Sequence, residues 1–151
     1  MNQQRRMLMQ LTALVGLMAS TGLMSQAEAA TWNEAAFKAK TLDDVVKVLG
    51  GSVAPEMSDA VTLRAPDIAE NGAVVPVGVE STLKATHMAI LVEKNPSALA
   101  AMFELPAGAE PFATTRVKMG QTSNIYGIVK ADGKWFMTSK EVKVTLGGCG
   151  G

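Results

Sequence analysis

The spacing of hydrophobic residues changes once along the chain, near Pro55. Upstream of it, apolar residues recur at the spacing of one helix face; these are Leu42, Val45, Val46 and Leu49. Thr41 precedes them, and Asp44 follows Thr41 by three residues, which is an acidic variant of the N-terminal capping box. The pattern predicts one or two short helices across residues 32–50, ending at the glycine pair that follows.

Downstream of Pro55, short stretches that alternate or are continuously apolar follow one another. Residues 88–92 are all apolar, as expected of a strand covered on both faces. Residues 73–79 are rich in β-formers but contain Pro76, which predicts an edge strand or a bulge. Asp132-Gly133 between two apolar stretches is a strong hairpin signal. The remaining strands are predicted at residues 61–65, 115–119, 125–129, 135–137 and 142–146.

Strands of this number and spacing predict the fold class. Roughly six to eight short strands, spaced near ten residues apart with turn signals between them, are typical of a β-sandwich. We predict a mainly β, immunoglobulin-like antiparallel sandwich over residues 53–146, preceded by a short N-terminal helical extension over residues 30–52. The pattern does not decide the type of residues 99–105.

The N-terminus has the pattern of an export signal. Arg5-Arg6 precede an apolar stretch at residues 11–23, and Ala27-Glu28-Ala29 has the form of a cleavage site. We therefore predict a twin-arginine-like signal peptide over residues 1–29. The apolar stretch is shorter than the ~20 residues that span a bilayer. The mature protein is expected outside the cytoplasm, with no membrane association after cleavage.

Composition and charge narrow the function classes. The formal net charge is zero, so electrostatics give no reason to expect a nucleic-acid partner. The sequence has no Ser/His/Asp set, zinc-ligand spacing or phosphate-binding glycine loop, so we predict no catalytic residues, no cofactor and no metal site. His87 is expected to be structural or at the surface, and Glu110, Asp132 and Glu141 are expected on solvated faces.

The chemistry-bearing stretch is the C-terminus, Gly147-Gly148-Cys149-Gly150-Gly151, which holds the only cysteine. Glycine loses much chain entropy on ordering, so this run predicts a flexible arm rather than a packed segment. We expect Leu146 to be the last packed residue and Cys149 to travel about 10 Å from the domain. Activation of the thiol would have to come from a partner, since no flanking group lowers its pKa.

Four roles for Cys149 remain open from the residues alone. It could carry a covalently bound sulfur species between enzymes, because a thiolate is a strong nucleophile. It could form an intermolecular disulfide, as in an exported adhesion or assembly module. The third role is that of a metal ligand, and the fourth is that of a residue in an inert tail. An enzyme in its own right is a further class, and it would need turnover by the isolated chain.

Five stretches of the sequence resemble the SoxY family, the sulfur carriers of the periplasmic thiosulfate-oxidising system. They are residues 70–77, 91–96, 118–123, 129–134 and, with the terminal Gly147, Gly148, Cys149, Gly150 and Gly151, residues 142–151. The resemblance implies a non-catalytic carrier in which Cys149 is the covalent attachment point and the four glycines make the arm flexible.

The same resemblance implies partners. A SoxZ-like subunit would form a heterodimer with the chain. A c-type haem enzyme of the SoxXA kind would join Cys149 to thiosulfate, and a manganese-dependent SoxB-like hydrolase would release sulfate. A molybdenum-haem sulfur dehydrogenase of the SoxCD kind, where present, would oxidise the remaining sulfur. The expected location is the periplasm.

Overall fold

The computed structural model describes residues 33–51 and 54–145. It contains two helices, α1 (Glu34–Lys38) and α2 (Leu42–Val48), followed by nine strands. The strands are β1 (Glu56–Met57), β2 (Val61–Arg64), β3 (Ile68–Ala69), β4 (Val75–Ser81), β5 (Ala85–Val92), β6 (Leu99–Glu104), β7 (Phe112–Val117), β8 (Ser123–Ala131) and β9 (Lys134–Val144).

The ends of helix α2 follow the predicted signals. The Thr41 hydroxyl oxygen accepts a hydrogen bond from the Asp44 backbone N–H at 3.2 Å, which confirms the N-cap. Beyond the helix, Gly50 has a φ of +79°, and the N–H groups of Gly50 and Gly51 donate to the carbonyls of Lys47 and Val46. This is a Schellman ending, and it needs glycine at the left-handed position. No helix in the described ranges is long and apolar enough to cross a membrane.

The strands form two facing sheets. The large sheet has the order β1-β9-β8-β5-β6, with β3 also paired to β9, and the small sheet has the order β2-β4-β7. This confirms the mainly β, immunoglobulin-like sandwich. Two details differ from a purely antiparallel sandwich, since the two-residue strands β1 and β3 both run parallel to β9.

The large sheet is covered on both faces. Met88, Ile90 and Val92 of β5 belong to the core between the sheets, and all three are fully buried. The alternate residues Ala89 and Leu91 pack in a second cluster with the helices. The prediction that residues 88–92 are covered on both faces is confirmed. The helices are thus a packed third layer, formed by Ala36, Val45 and Val46 against Ala89, Leu91, Ile128 and Trp135.

The hairpin between β8 and β9 lies where the sequence predicts it. Asp132 and Gly133 have φ values of +49° and +76°, so both occupy the left-handed region that a two-residue turn requires. The two strands then pair from Ala131 and Lys134 onward. Strand β9 is eleven residues long and ends at Val144, so the strand predicted at 135–137 and residues 142–144 of the strand predicted at 142–146 are parts of one element.

The prediction of an edge strand or bulge at Pro76 is wrong for the strand as a whole. Strand β4 lies between β2 and β7, and its register with each of them is continuous. The proline is tolerated because pairing with β2 ends at Gly78, so at Pro76 the strand has only β7 beside it. A residue without an N–H fits where one side needs no donor. Residues 99–104, undecided from sequence, form strand β6.

Candidate functional site

Cys149, its four glycines and Leu146 lie outside the described residues. The structure does describe the segment from which this C-terminal arm (residues 147–151) continues, up to the exposed Thr145. Thr145 is the first residue after strand β9. The described part of the candidate site is therefore the anchorage of the arm.

Backbone N–H groups at the end of β9 are bound alternately on its two sides. Lys143 donates to the Asp67 carbonyl at 2.9 Å, and Thr145 donates to the Ala69 carbonyl at 3.2 Å. Between them, Val144 donates to the Thr122 hydroxyl oxygen at 3.0 Å. The last β8–β9 pair is Ser123 with Val142, so the Thr122 side chain continues the ladder where β8 has ended. The chain is held up to the last described residue.

Gly72 brings a neighbouring loop into direct contact with this strand end. Its carbonyl accepts a 2.7 Å hydrogen bond from the Met119 N–H. A Cβ at Gly72 would overlap the Met119 carbonyl oxygen and lie 2.9 Å from Val144 Cγ1. Position 72 therefore requires glycine, because its backbone lies too close to Met119 and Val144 for any side chain. We call this contact region the arm junction; it comprises Ala69, Gly72, Met119, Thr122, Val144 and Thr145.

An ion pair fastens the segment before β3 to strand β9. The Lys140 ammonium lies 2.8 Å from Asp67 Oδ1 and donates to the Ala65 carbonyl at 2.6 Å. The hydrogen bond from Lys140, and then its positive charge, hold the pKa of the Asp67 carboxyl below its ordinary value. The pair is exposed on the aspartate side, so its effect is to position the segment more than to stabilise the fold.

Three of the sequence stretches that resemble the SoxY family meet at the arm junction. Residues 70–77 supply Gly72, residues 118–123 supply Met119 and Thr122, and the 142–151 stretch supplies Val144 and Thr145. The stretches are visible in the sequence, but no sequence signal gives a role to Gly72 or Thr122, because the atoms they contact belong to residues far away along the chain.

The other residues considered from sequence are not gathered at this junction. His87 is half-buried, with Nδ1 3.0 Å from the Thr86 hydroxyl and its ring centroid 6.4 Å from that of Trp135. Glu110, Asp132 and Glu141 are all exposed, as expected. Across residues 33–51 and 54–145, no three His, Cys, Asp or Glu side chains are placed to share a metal ion.

Burial affects one further titratable group. Burial raises the pKa of the Tyr126 hydroxyl, and the negative charge of Glu93, which the hydroxyl approaches at 3.3 Å, adds to the effect. Glu93 also accepts a 2.9 Å hydrogen bond from Asn124 Nδ2. The Tyr126 hydroxyl therefore keeps its proton and donates a hydrogen bond that helps to hold Glu93 in place.

Comparison with known proteins places the chain. The family model for the sulfur oxidation protein SoxY matches residues 45–149, a range that includes Cys149. The structure of the sulfur carrier protein SoxY from Chlorobium limicola f thiosulfatophilum is 37% identical, with a TM-score of 0.64 over 70% of this chain and 97% of that one. A search of curated proteins gave no match.

A second solved structure shares the fold alone. The superoxide reductase (neelaredoxin) from Ignicoccus hospitalis is 17% identical, with a TM-score of 0.50 over 60% of this chain and 95% of that one. At that identity only the sandwich architecture is shared. The range matched by the family model includes all residues of the arm junction, where the stretches that resemble the SoxY family meet. The chain belongs to the SoxY family of sulfur oxidation proteins.

Proposed function

We propose that this protein is a covalent sulfur carrier in the oxidation of thiosulfate to sulfate, with Cys149 as the attachment point. The observation that supports this most directly is the arm junction. A chain of the SoxY family is hydrogen-bonded residue by residue up to Thr145 and then continues into a run of glycines around one thiol. A firmly bound strand end followed by a run of glycines suits a thiol that must enter the active sites of several enzymes.

The loading step forms one bond. The sulfur of the Cys149 thiolate joins the outer sulfur of thiosulfate, giving a cysteine S-thiosulfonate. This S–S bond formation releases one electron pair, which a c-type haem enzyme of the SoxXA kind accepts. The thiolate is the reactive form, so the partner's active site must favour its deprotonation.

The unloading steps remove sulfur from the carrier. A SoxB-like manganese hydrolase adds water to the terminal sulfonate, so the bond between that sulfur and the sulfane sulfur breaks. Sulfate and a proton leave, and a persulfide remains on Cys149. A SoxCD-like dehydrogenase, where present, oxidises that sulfane sulfur further. The carrier is the covalently bound substrate in each step and supplies no catalytic group.

Tethering explains why the anchorage matters. Cys149 lies four residues after Thr145, and four extended residues span at most roughly 14 Å. The bound sulfur therefore stays near the domain surface at a high effective concentration for any enzyme docked there. We further propose that residues 1–29 direct export to the periplasm by the twin-arginine route, and that a SoxZ-like subunit pairs with the sandwich.

The first test is Cys149→Ser in the reconstituted thiosulfate-oxidising system. We expect loss of thiosulfate-dependent electron transfer with an unchanged circular dichroism spectrum, because only the nucleophile is removed. Gly151→Ala is the control, since it alters the arm while keeping the thiol, and it should retain most activity. Full activity in Cys149→Ser would refute the proposal.

Intact mass spectrometry without reductant separates the carrier from a disulfide-linked assembly module. After turnover with thiosulfate, the carrier should show thiosulfonate or sulfane additions on the C-terminal peptide. Disulfide-linked dimers with no such additions would assign Cys149 to cross-linking instead.

A further inference from the structure

A groove lies between the last strands of the two sheets. Strand β6 ends the order of the large sheet, and β7 ends that of the small sheet. The groove has a volume of about 370 Å³ and is bounded by the turn that contains Asn95 and Pro96, by Ala100 of β6, and by Arg116 and Val117 of β7, with Lys118 following. Asn95 Nδ2 donates to the Lys118 carbonyl at 2.8 Å, which fixes the turn to the end of β7.

The groove carries two positive charges and no negative one. Arg116 and Lys118 are the only ionisable side chains among its lining residues, and both are exposed. In the part of the chain that the structure describes, neither forms an ion pair. Glu93, the acid that precedes the turn, is instead engaged by Asn124 and Tyr126. We call this feature, with its residues Asn95, Pro96, Ala100, Arg116, Val117 and Lys118, the cationic groove.

The cationic groove lies next to the arm junction. Lys118 is followed by Met119, whose N–H is bonded to Gly72, and Gly72 is packed against Val144 Cγ1. The chain from Thr145 to Cys149 spans up to roughly 14 Å, which is the reach of a group attached to Cys149 from the arm junction.

We propose that the cationic groove binds the sulfonate group of thiosulfate-derived anions. A sulfonate offers three oxygen acceptors, and the planar Arg116 guanidinium can donate to two of them at once while Lys118 adds a point charge. Because both cations are exposed, binding is weak and falls with ionic strength.

The sulfonate has two sources, free thiosulfate and the adduct on Cys149. The second source rests on the proposed carrier function. In that case the groove holds the negative end of the loaded arm against the domain between visits to enzymes, and its two cations more than offset the single negative charge of the thiosulfonate.

The free anion is tested with the full-length Cys149→Ser protein. Sodium thiosulfate is titrated while sodium chloride keeps the ionic strength constant, and amide shifts are followed by nuclear magnetic resonance. We expect saturable shifts at Arg116, Lys118 and the turn at 95–97. Arg116→Gln/Lys118→Gln should weaken binding by about 2- to 30-fold, since each exposed ionic contact contributes a factor of about 1.4 to 5.

A matched control removes two charges elsewhere. Lys84 and Lys134 are exposed and lie beside the β8–β9 turn, whereas the arm junction is at the other end of β9. Lys84→Gln/Lys134→Gln should therefore leave the titration unchanged. An equal response in both double variants, or no response in either, overturns the proposal. Shifts caused by a hexaglutamate peptide but not by thiosulfate also overturn it and assign the groove to docking of an acidic protein segment.

The attached anion is tested by loading the native thiol with tetrathionate. The thiolate attacks a sulfane sulfur of tetrathionate, a cysteine S-thiosulfonate forms and thiosulfate leaves, so no other oxidant is needed. With the adduct verified by mass, we expect the same residues to shift at every protein concentration. A verified adduct without those shifts refutes the role of the groove in holding the arm, while the carrier function is judged separately by the Cys149→Ser activity assay.

Discussion

The two sheets share one core but differ on their outer faces. The outer face of the large sheet is covered by α1 and α2, and Leu91 there is only 1% exposed. The outer face of the small sheet is open, with Phe112 50% exposed. A shallow groove of about 340 Å³ crosses it, lined partly by Pro76 and Gly78. We therefore expect the outer face of the large sheet to contribute more to stability than that of the small sheet; the large sheet also holds the arm junction through β9.

Truncation of a helix-facing residue should give the largest effect. Leu91→Ala removes a buried side chain between β5 and the helices, and we expect the free energy of unfolding to fall by about 2–5 kcal/mol. Phe112→Ala, on the open face, should cost less than about 1 kcal/mol, because half of that side chain already contacts water. Urea unfolding measures both. Equal costs would show that the small sheet's outer face is as important for stability as the covered one.

A matched glycine pair should give the next largest effect. Gly127 of β8 faces the small sheet, and a Cβ there would lie 2.9 Å from Val79 Cγ2 and 3.1 Å from Leu63 Cδ1. We expect Gly127→Ala to destabilise the protein by about 1–3 kcal/mol through overpacking.

Gly78 of β4 provides the contrast to Gly127. Its Cβ would meet its neighbours at 3.6 Å or more, which is ordinary contact. Gly78→Ala should be neutral or stabilise by up to about 1 kcal/mol, since alanine has less freedom in the unfolded chain. Thermal unfolding of the two variants tests this, and a larger loss in Gly78→Ala than in Gly127→Ala would contradict the packing described between the sheets.

The smallest effect concerns the ion pair that fastens the segment before β3. Because the pKa of Asp67 is lowered in the folded protein, its contribution is present above the ordinary value of 3.8 and is lost as the pH falls through the lowered pKa. Asp67→Asn should therefore be slightly less stable than the wild type near neutral pH, with the difference vanishing in acid. Thermal midpoints of both proteins, measured from acidic to neutral pH, test this prediction. The control is Asp59→Asn, at an exposed aspartate. An identical pH dependence in the two variants would show that the ion pair with Lys140 does not contribute to stability.

Local signals predicted the parts of the fold that depend on local geometry. The turn at Asp132-Gly133 is predicted correctly because these residue types adopt a left-handed φ readily. The cap at Thr41 is predicted correctly because its hydroxyl binds a backbone N–H only three residues away. The position of Pro76 in a middle strand was missed because it depends on where β2 ends, which is a tertiary property. The parallel strands β1 and β3 are two residues long, too short for any periodicity.

The sequence predicts the chemistry of the candidate site, whereas the residues that anchor the arm emerge only from the structure. A lone cysteine among glycines is visible in the sequence and predicts Cys149 as the reacting residue, which lies outside the described residues. Gly72 does not have the positive φ that favours glycine in a turn. Glycine is needed at this position because Met119 and Val144, which are far away in sequence, leave no room for a Cβ. Thr122 looks like an ordinary loop residue until its hydroxyl meets the Val144 N–H.

The direction of β9 has a mechanical consequence for the carrier. The hydrogen bonds that join β9 to β8 and β3 lie across the axis of β9. A pull on Thr145 directed along that axis would therefore load these bonds together in shear instead of peeling them apart one at a time. An anchorage of this geometry transmits such a force to the whole sheet and protects the end of β9 from fraying.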